Sequence, residues 1–236
     1  MGVIQNFATK QGWFPNHAKN LFLKGKLSSE QLITRLSNRR DLAERAKYFA
    51  GVADSIKSAA KKEPSANKKA AYFELVYELR FHSSAAFLQL AKIDKSYAFS
   101  YKESSRDQRE QALNDCPNHP NAVRDAQLLV NEFKVLAENS GSVSNIHEPS
   151  AKEMFHALLR RSAYYEQASA IVLKFPALSS NGNVETVQAY YLVMETLLSS
   201  TYSVYFGNVD LANAQKAFSD LGSKLRQLKT SAMVPA

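Results

Sequence analysis

Along this chain the apolar residues step by threes and fours. Leu42, Ala46, Phe49, Ala53, Ile56 and Ala60 form one such series. Ala122, Ala126, Leu129, Phe133 and Leu136 form a second, and Leu211, Ala214, Phe218, Leu221, Leu225 and Leu228 a third. Steps of this kind put every member on one face of an α-helix. No stretch alternates apolar and polar residues between turn signals, so no strand is predicted.

The polar punctuation agrees. Ser28 stands three residues before Gln31, and Ser150 three before Glu153. Each spacing is a capping box, in which a hydroxyl and the side chain three residues on satisfy free N–H groups reciprocally. Ser65 after Pro64, and Ser105 before Gln108, are weaker versions. Gly25, Gly141 and Gly207 stand where helix C-termini need a left-handed residue, and Pro176 closes a helix ending at Phe175. Helices are predicted over 16–24, 29–38, 40–62, 66–94, 104–114, 121–139, 151–175, 184–206 and 210–229. The connections are short, which favours antiparallel neighbours. The expected fold is an all-α, antiparallel multi-helix bundle of eight or nine helices with no β-sheet. No recurring consensus supports a solenoid.

The widest breaks are 95–103, 139–150 and 176–183, and 139–150 is the best candidate seam. The expected organisation is a basic amino-terminal lobe over 1–139 and a carboxyl-terminal helical hairpin bundle over 150–229 packed on it. One continuous domain fits the same pattern.

Charge adds an asymmetry. The chain of 236 residues carries a net charge of +8. Residues 1–70 hold 14 Lys and Arg against 5 Asp and Glu, residues 71–150 hold 8 against 11, and residues 151–236 hold 8 against 6. A basic excess confined to one third points to an anionic partner without naming it. It peaks in "KSAAKKEPSANKKAA", where Lys57, Lys61, Lys62, Lys68 and Lys69 gather at a predicted hairpin tip with Glu63 as the only acid. Arg39, Arg40 and Arg45 lie at the far end of the same helix. No aromatic residues are interleaved with the lysines, so nucleic-acid binding there would be salt-sensitive and non-specific. A tip kept soluble by lysine is the plainer reading.

A second feature lies in "RRSAYYEQ" and the helix after it. Arg160 stands one turn from Tyr164 and Arg161 one turn from Tyr165; Tyr190 and Tyr191 follow. Adjacent residues on a helix diverge by about 100°, so one tyrosine of each pair packs inward while the other reaches the rim. Tyr and Arg dominate interface hot spots, and they also serve as core residues.

Motifs for catalysis are sparse. Glu153 and His156 have the Glu-x-x-His spacing of a di-metal bundle, but no other histidine has an acid three residues before it. The single cysteine, Cys116, cannot build a structural zinc site with clustered thiolates. In "NDCPNHPNAV" it stands three residues before His119, but Pro117 and Pro120 bias both towards extended backbone, so the segment reads as a joint between helices. There is no phosphate-cradling glycine loop and no nucleophile elbow. No metal or cofactor is expected. The amino end shows no signal peptide, and the best span candidate, Val187–Phe206, carries Glu195 and many hydroxyls, so no transmembrane segment is expected. One cysteine favours a reducing cytosol, and secretion without a cleavable signal is also compatible.

These readings converge on a non-catalytic helical interaction module. It would bind a protein partner through a surface including Arg160, Arg161, Tyr164, Tyr165 and Tyr191. The basic hairpin of Lys57, Lys61, Lys62, Lys68 and Lys69 would engage anionic partners. A secreted bacterial effector is compatible with this. The first alternative is non-specific binding of nucleic acid or an anionic membrane. The second is an enzyme assembled from distant residues, with Glu153, His156 and Glu166 the first suspects.

Overall fold

The computed structural model describes residues 16–140 and 151–178; within the second span the side chains of 151–159 and 162 are not described. Every regular element among the described residues is helical. They are α1 (16–23), α2 (Ser29–Ser37), α3 (Leu42–Lys62), α4 (Ala66–Ile93), α5 (Ala98–Asp115), α6 (Ala122–Ser140), α7 (Ala151–Lys174) and α8 (Pro176–Leu178). The all-α bundle expected from the pattern is the observed fold. The helices expected over 184–206 and 210–229, the stripe from Leu211 to Leu228, Tyr190 and Tyr191, Gly141, Gly207 and the Ser150 box lie outside the described residues. The chain divides into two compact units, Met1–Asp125 and Ala126–Ala236.

In the first unit, local chemistry sets the helix ends. Helix α1 closes in a Schellman motif: the Gly25 N–H donates to the Phe22 carbonyl and the Lys26 N–H to the Leu21 carbonyl, both at 2.8 Å. Gly25 takes φ +69°, a left-handed conformation that costs a residue with a Cβ. The Ser28 box forms in full: the Gln31 N–H donates to Ser28 Oγ at 3.1 Å, and the Ser28 N–H to Gln31 Oε1 at 2.9 Å. Asp41 caps α3 by accepting from the Glu44 N–H at 2.9 Å. The Arg45 guanidinium folds back onto the Arg39 carbonyl, fixing the entry to α3.

Helix α4 is the axis of this unit, with α3 packed along one side and α5 along another. The α3 stripe points into the core: Ala46, Phe49, Ala53, Ile56 and Ala60 are at most 1% exposed. Phe49, Val52, Ala53, Ile56 and Ala60 meet Tyr72, Leu75, Val76 and Leu79 of α4, with Ala18, Leu32 and Leu36 completing the cluster. A helix between two neighbours cannot keep a single apolar stripe, and α4 buries Tyr77, Arg80, Ser83, Ser84 and Ala91 as well. The serines are satisfied across helices. Ser83 donates to the Ala46 carbonyl at 2.8 Å, and Ser84 Oγ meets Ser105 Oγ at 2.7 Å.

That last contact corrects the reading of α5. Ser105 is not near a helix start; it lies buried inside a helix that begins at Ala98. The expected break at 95–103 shrinks to the turn between Ile93 and Ala98. Tyr97 stands at the N-cap with no side-chain hydrogen bond, so the true start carries no capping signature.

In the second unit, Ala126, Leu129, Val130, Phe133 and Ala137 of α6 are buried. On α7, Tyr165, Ala168, Ile171 and Val172 are buried, and Phe175 and Leu178 follow them inward. The Phe175 N–H donates to the carbonyls of Ile171 and Val172, each at 3.2 Å, and Pro176 opens the single turn of α8.

Candidate functional site

The hairpin tip is where the sequence places it, and its turn is pinned. Glu63 ends α3, Pro64 follows, and Ser65 caps α4 by accepting from the Lys68 N–H at 3.4 Å. The Glu63 carboxylate accepts the Ser65 N–H at 3.2 Å and lies 3.3 Å from Lys68 Nζ. The hydrogen bond and charge of Glu63 raise the Lys68 pKa above its ordinary value. Lys68 Nζ also stands 5.8 Å over the Tyr72 ring. Lys61, Lys62 and Lys69 are exposed around this turn. The tip is therefore an ordered, positively charged end of a helical hairpin.

Lys57 is not part of it. Its ammonium lies 2.6 Å from Asp115 Oδ1 and belongs to a cluster built by three helices. Arg80, on α4, is 1% exposed. Its Nε donates to Asp115 Oδ2 at 3.0 Å, one terminal nitrogen to Asp54 Oδ1 at 2.8 Å, and the other to Gln108 Oε1 at 3.2 Å. Asp54 and Lys57 come from α3, Gln108 and Asp115 from α5. Every guanidinium nitrogen thus has a partner, the condition under which a buried arginine is tolerated. Asp54 is 66% exposed, so one edge of the cluster reaches water.

One turn before Arg80, Tyr77 makes a second buried link. Its hydroxyl donates to Asp125 Oδ2 at 2.8 Å, and Arg124 holds Asp125 Oδ1 at 3.0 Å. Burial first, and then the hydrogen bond and charge of Asp125, push the Tyr77 phenol far above its ordinary pKa. The Tyr77 ring stacks on His119, with centroids 3.8 Å apart and planes 11° from parallel. This stack places "NDCPNHPNAV" in the fold. The Asn121 N–H donates to His119 Nδ1 at 3.2 Å, the His119 N–H to the Cys116 carbonyl at 3.2 Å, and the Asn121 carbonyl accepts from Asp125 to start the α6 ladder. His119 packs and braces a tight crossing between α5 and α6. Cys116 is half-buried, and burial, then the charge of Glu74, push its thiol pKa up; the Asp115 charge adds to this and the His119 N–H opposes it. A nucleophilic cysteine needs the opposite shift.

On α7, Arg160 is exposed, Tyr164 is half-buried with its ring 6.2 Å from Phe133, and Tyr165 is buried. The Arg161 guanidinium lies 6.0 Å over the Tyr165 ring, the one-turn pairing the spacing implies. Glu153 and His156 fall on α7, but their side chains lie outside the described residues. Among the described residues no cluster of three or more His, Cys, Asp or Glu could hold a metal ion, and no helix is long and apolar enough to cross a membrane.

The Arg80 cluster has no local signature in the sequence. The available signal was position: Arg80 shares a face with Tyr77, Ser83 and Ser84, all buried. Its partners Asp54, Gln108 and Asp115 stand 26, 28 and 35 residues away, beyond any local pattern.

Comparison with known proteins assigns no activity. No protein-family model matches the chain, and no curated protein does. Among solved structures it is similar to a protein from a study of computationally designed self-assembling cyclic homooligomers, at 12% identity, with a TM-score of 0.41 and coverage of 98% of this chain and 97% of that one.

Proposed function

We propose that this chain is a non-catalytic helical binding module whose partner is a protein with an acidic surface. The observation that carries this reading is the ordered basic tip of the α3–α4 hairpin. Lys61, Lys62 and Lys69 are exposed there, and Glu63, the only acid beside them, is already bonded to Ser65 and Lys68. The attraction is not neutralised locally, and a rigid presentation lowers the ordering cost of binding. The tip offers no exposed aromatic residue for stacking on bases, because Tyr72 is buried, so a protein partner is favoured over nucleic acid.

Exposed Arg160 and half-buried Tyr164 of α7 are a second proposed contact, of the residue types that anchor interfaces. Residence in a reducing cytosol belongs to the same proposal. The test is anisotropy with a fluorescein-labelled polyglutamate peptide. Binding should be strong at low salt and weaken steeply as salt rises. A fourfold charge reversal, Lys61→Glu, Lys62→Glu, Lys68→Glu and Lys69→Glu, should abolish it.

A further inference from the structure

The opposite end of α4 carries a different surface. Ile93 is 72% exposed, Tyr97 62% and Phe99 62%. They stand at the last residue of α4, the N-cap of α5 and its first turn. Large apolar side chains are rarely so exposed together unless something covers them. Exposed Lys92, Lys95 and Lys102 flank them. The nearby acids are Asp94, which accepts the Ser96 N–H at 3.0 Å, and exposed Glu103.

This end is built rather than frayed. The Asp94 N–H donates to the Leu90 carbonyl at 2.8 Å, and Tyr101 N–H to the Tyr97 carbonyl at 3.0 Å. Tyr101 lies with its ring 6.4 Å from Phe87 and 6.3 Å from Tyr97, a short ladder supporting the tip from below. It also projects. Ser83 bonds to Ala46, so Leu42, the first residue of α3, lies about level with Phe87. Helices α4 and α5 therefore continue roughly 9 Å past the start of α3, at 1.5 Å per residue.

We propose that this tip is a site for the interface of an anionic lipid bilayer. Ile93 and Phe99 enter the acyl boundary, Tyr97 rests at headgroup level, and Lys92, Lys95 and Lys102 meet lipid phosphates. Aromatic residues with flanking lysines match that layered environment. An end that extends past α3 with its apolar side chains exposed fits a fluid surface that closes around it. A second copy of the chain would set these lysines against its own. The site is independent of the basic tip, which lies about 42 Å away along the 28 residues of α4.

The test uses the full chain with Phe99→Trp in a Trp13→Phe background, so that one indole reports. Vesicles of phosphatidylcholine alone are compared with vesicles containing phosphatidylserine. The proposal expects a blue shift and quenching by brominated acyl chains with the anionic vesicles only. In cosedimentation of the otherwise unaltered chain, Ile93→Ser/Tyr97→Ser/Phe99→Ser should weaken binding about tenfold, because apolar burial supplies part of the affinity. These side chains are exposed, so circular dichroism should be unchanged. Lys61→Glu/Lys62→Glu/Lys68→Glu/Lys69→Glu should leave vesicle binding intact. No binding, an indole that stays in water, or loss only on reversing the distant lysines would overturn the proposal. So would a triple substitution that breaks up an oligomer without changing vesicle binding.

Discussion

Arg80 Nε and Asp115 Oδ2 meet at 3.0 Å with both side chains almost fully buried, and the link joins the middle of α4 to the last residue of α5. Lys57 holds the other oxygen of the same carboxylate. Asp115 therefore ties all three long helices of the first unit together just where the chain turns into the Cys116–Asn121 crossing. An ion pair of this kind is not by itself a source of stability, but breaking it from one side leaves a buried charge without its partner.

Arg80→Met should therefore destabilise the first unit by about 3 kcal/mol, towards the low end for a broken buried pair because Lys57 still holds Asp115. Asp54→Asn should cost less than about 1 kcal/mol, since that carboxylate stands largely in water. Urea denaturation of the two variants measures the contrast. Equal effects would mean that the cluster is not organised around Arg80.

Tyr77→Phe should cost about 1–3 kcal/mol, the effect of leaving the buried Asp125 oxygen without its donor. The phenol also predicts a pH dependence. Its folded pKa is raised, so the folded state keeps the proton that the unfolded chain releases near pH 10. The stabilisation is complete below that value and is lost as pH rises above it. Stability measured from pH 8 to 11 should fall for the parent chain, and by less for Tyr77→Phe.

Cys116 should react with iodoacetamide more slowly at pH 8 than a free thiol does, because burial and the neighbouring carboxylates disfavour its thiolate. Denaturant should restore the ordinary rate. Cys116→Ser should fold normally and bind the acidic peptide as the parent does. Faster reaction in the folded chain would reopen the joint as a chemical site.

Gly25→Ala isolates a backbone effect. Nothing lies within 4 Å of a Cβ built at Gly25, so no clash contributes. The left-handed φ alone should cost about 1 kcal/mol. A substitution that leaves the melting temperature unchanged would mean that the α1 cap relaxes.

The legible parts of this fold are those with local causes. The Ala46–Ala60 stripe, the Ser28–Gln31 box and the Gly25 cap each lie within a few turns of chain, and each forms as its chemistry requires. The α5 start was hidden because Tyr97 offers no capping oxygen to a neighbouring N–H, while Ser105, which resembles a cap, spends its hydroxyl on Ser84. The lysine tip was legible as a run of charge, except that Lys57 is drawn off by Asp115, 58 residues away. The Arg80 cluster and the exposed Ile93–Phe99 end depend on which helices pack together, information carried by tertiary contacts rather than by period or spacing.

We propose that the α3–α4 tip binds an acidic protein surface. The most direct measurement is anisotropy of labelled polyglutamate with the parent chain and with Lys61→Glu/Lys62→Glu/Lys68→Glu/Lys69→Glu, at two salt concentrations, with labelled duplex DNA as competitor. The predicted result is binding by the parent at low salt, weakened at least about tenfold by moderate salt, abolished by the reversal, and little displaced by DNA. Equal binding by the two proteins, or tighter binding to DNA than to the peptide, would contradict it.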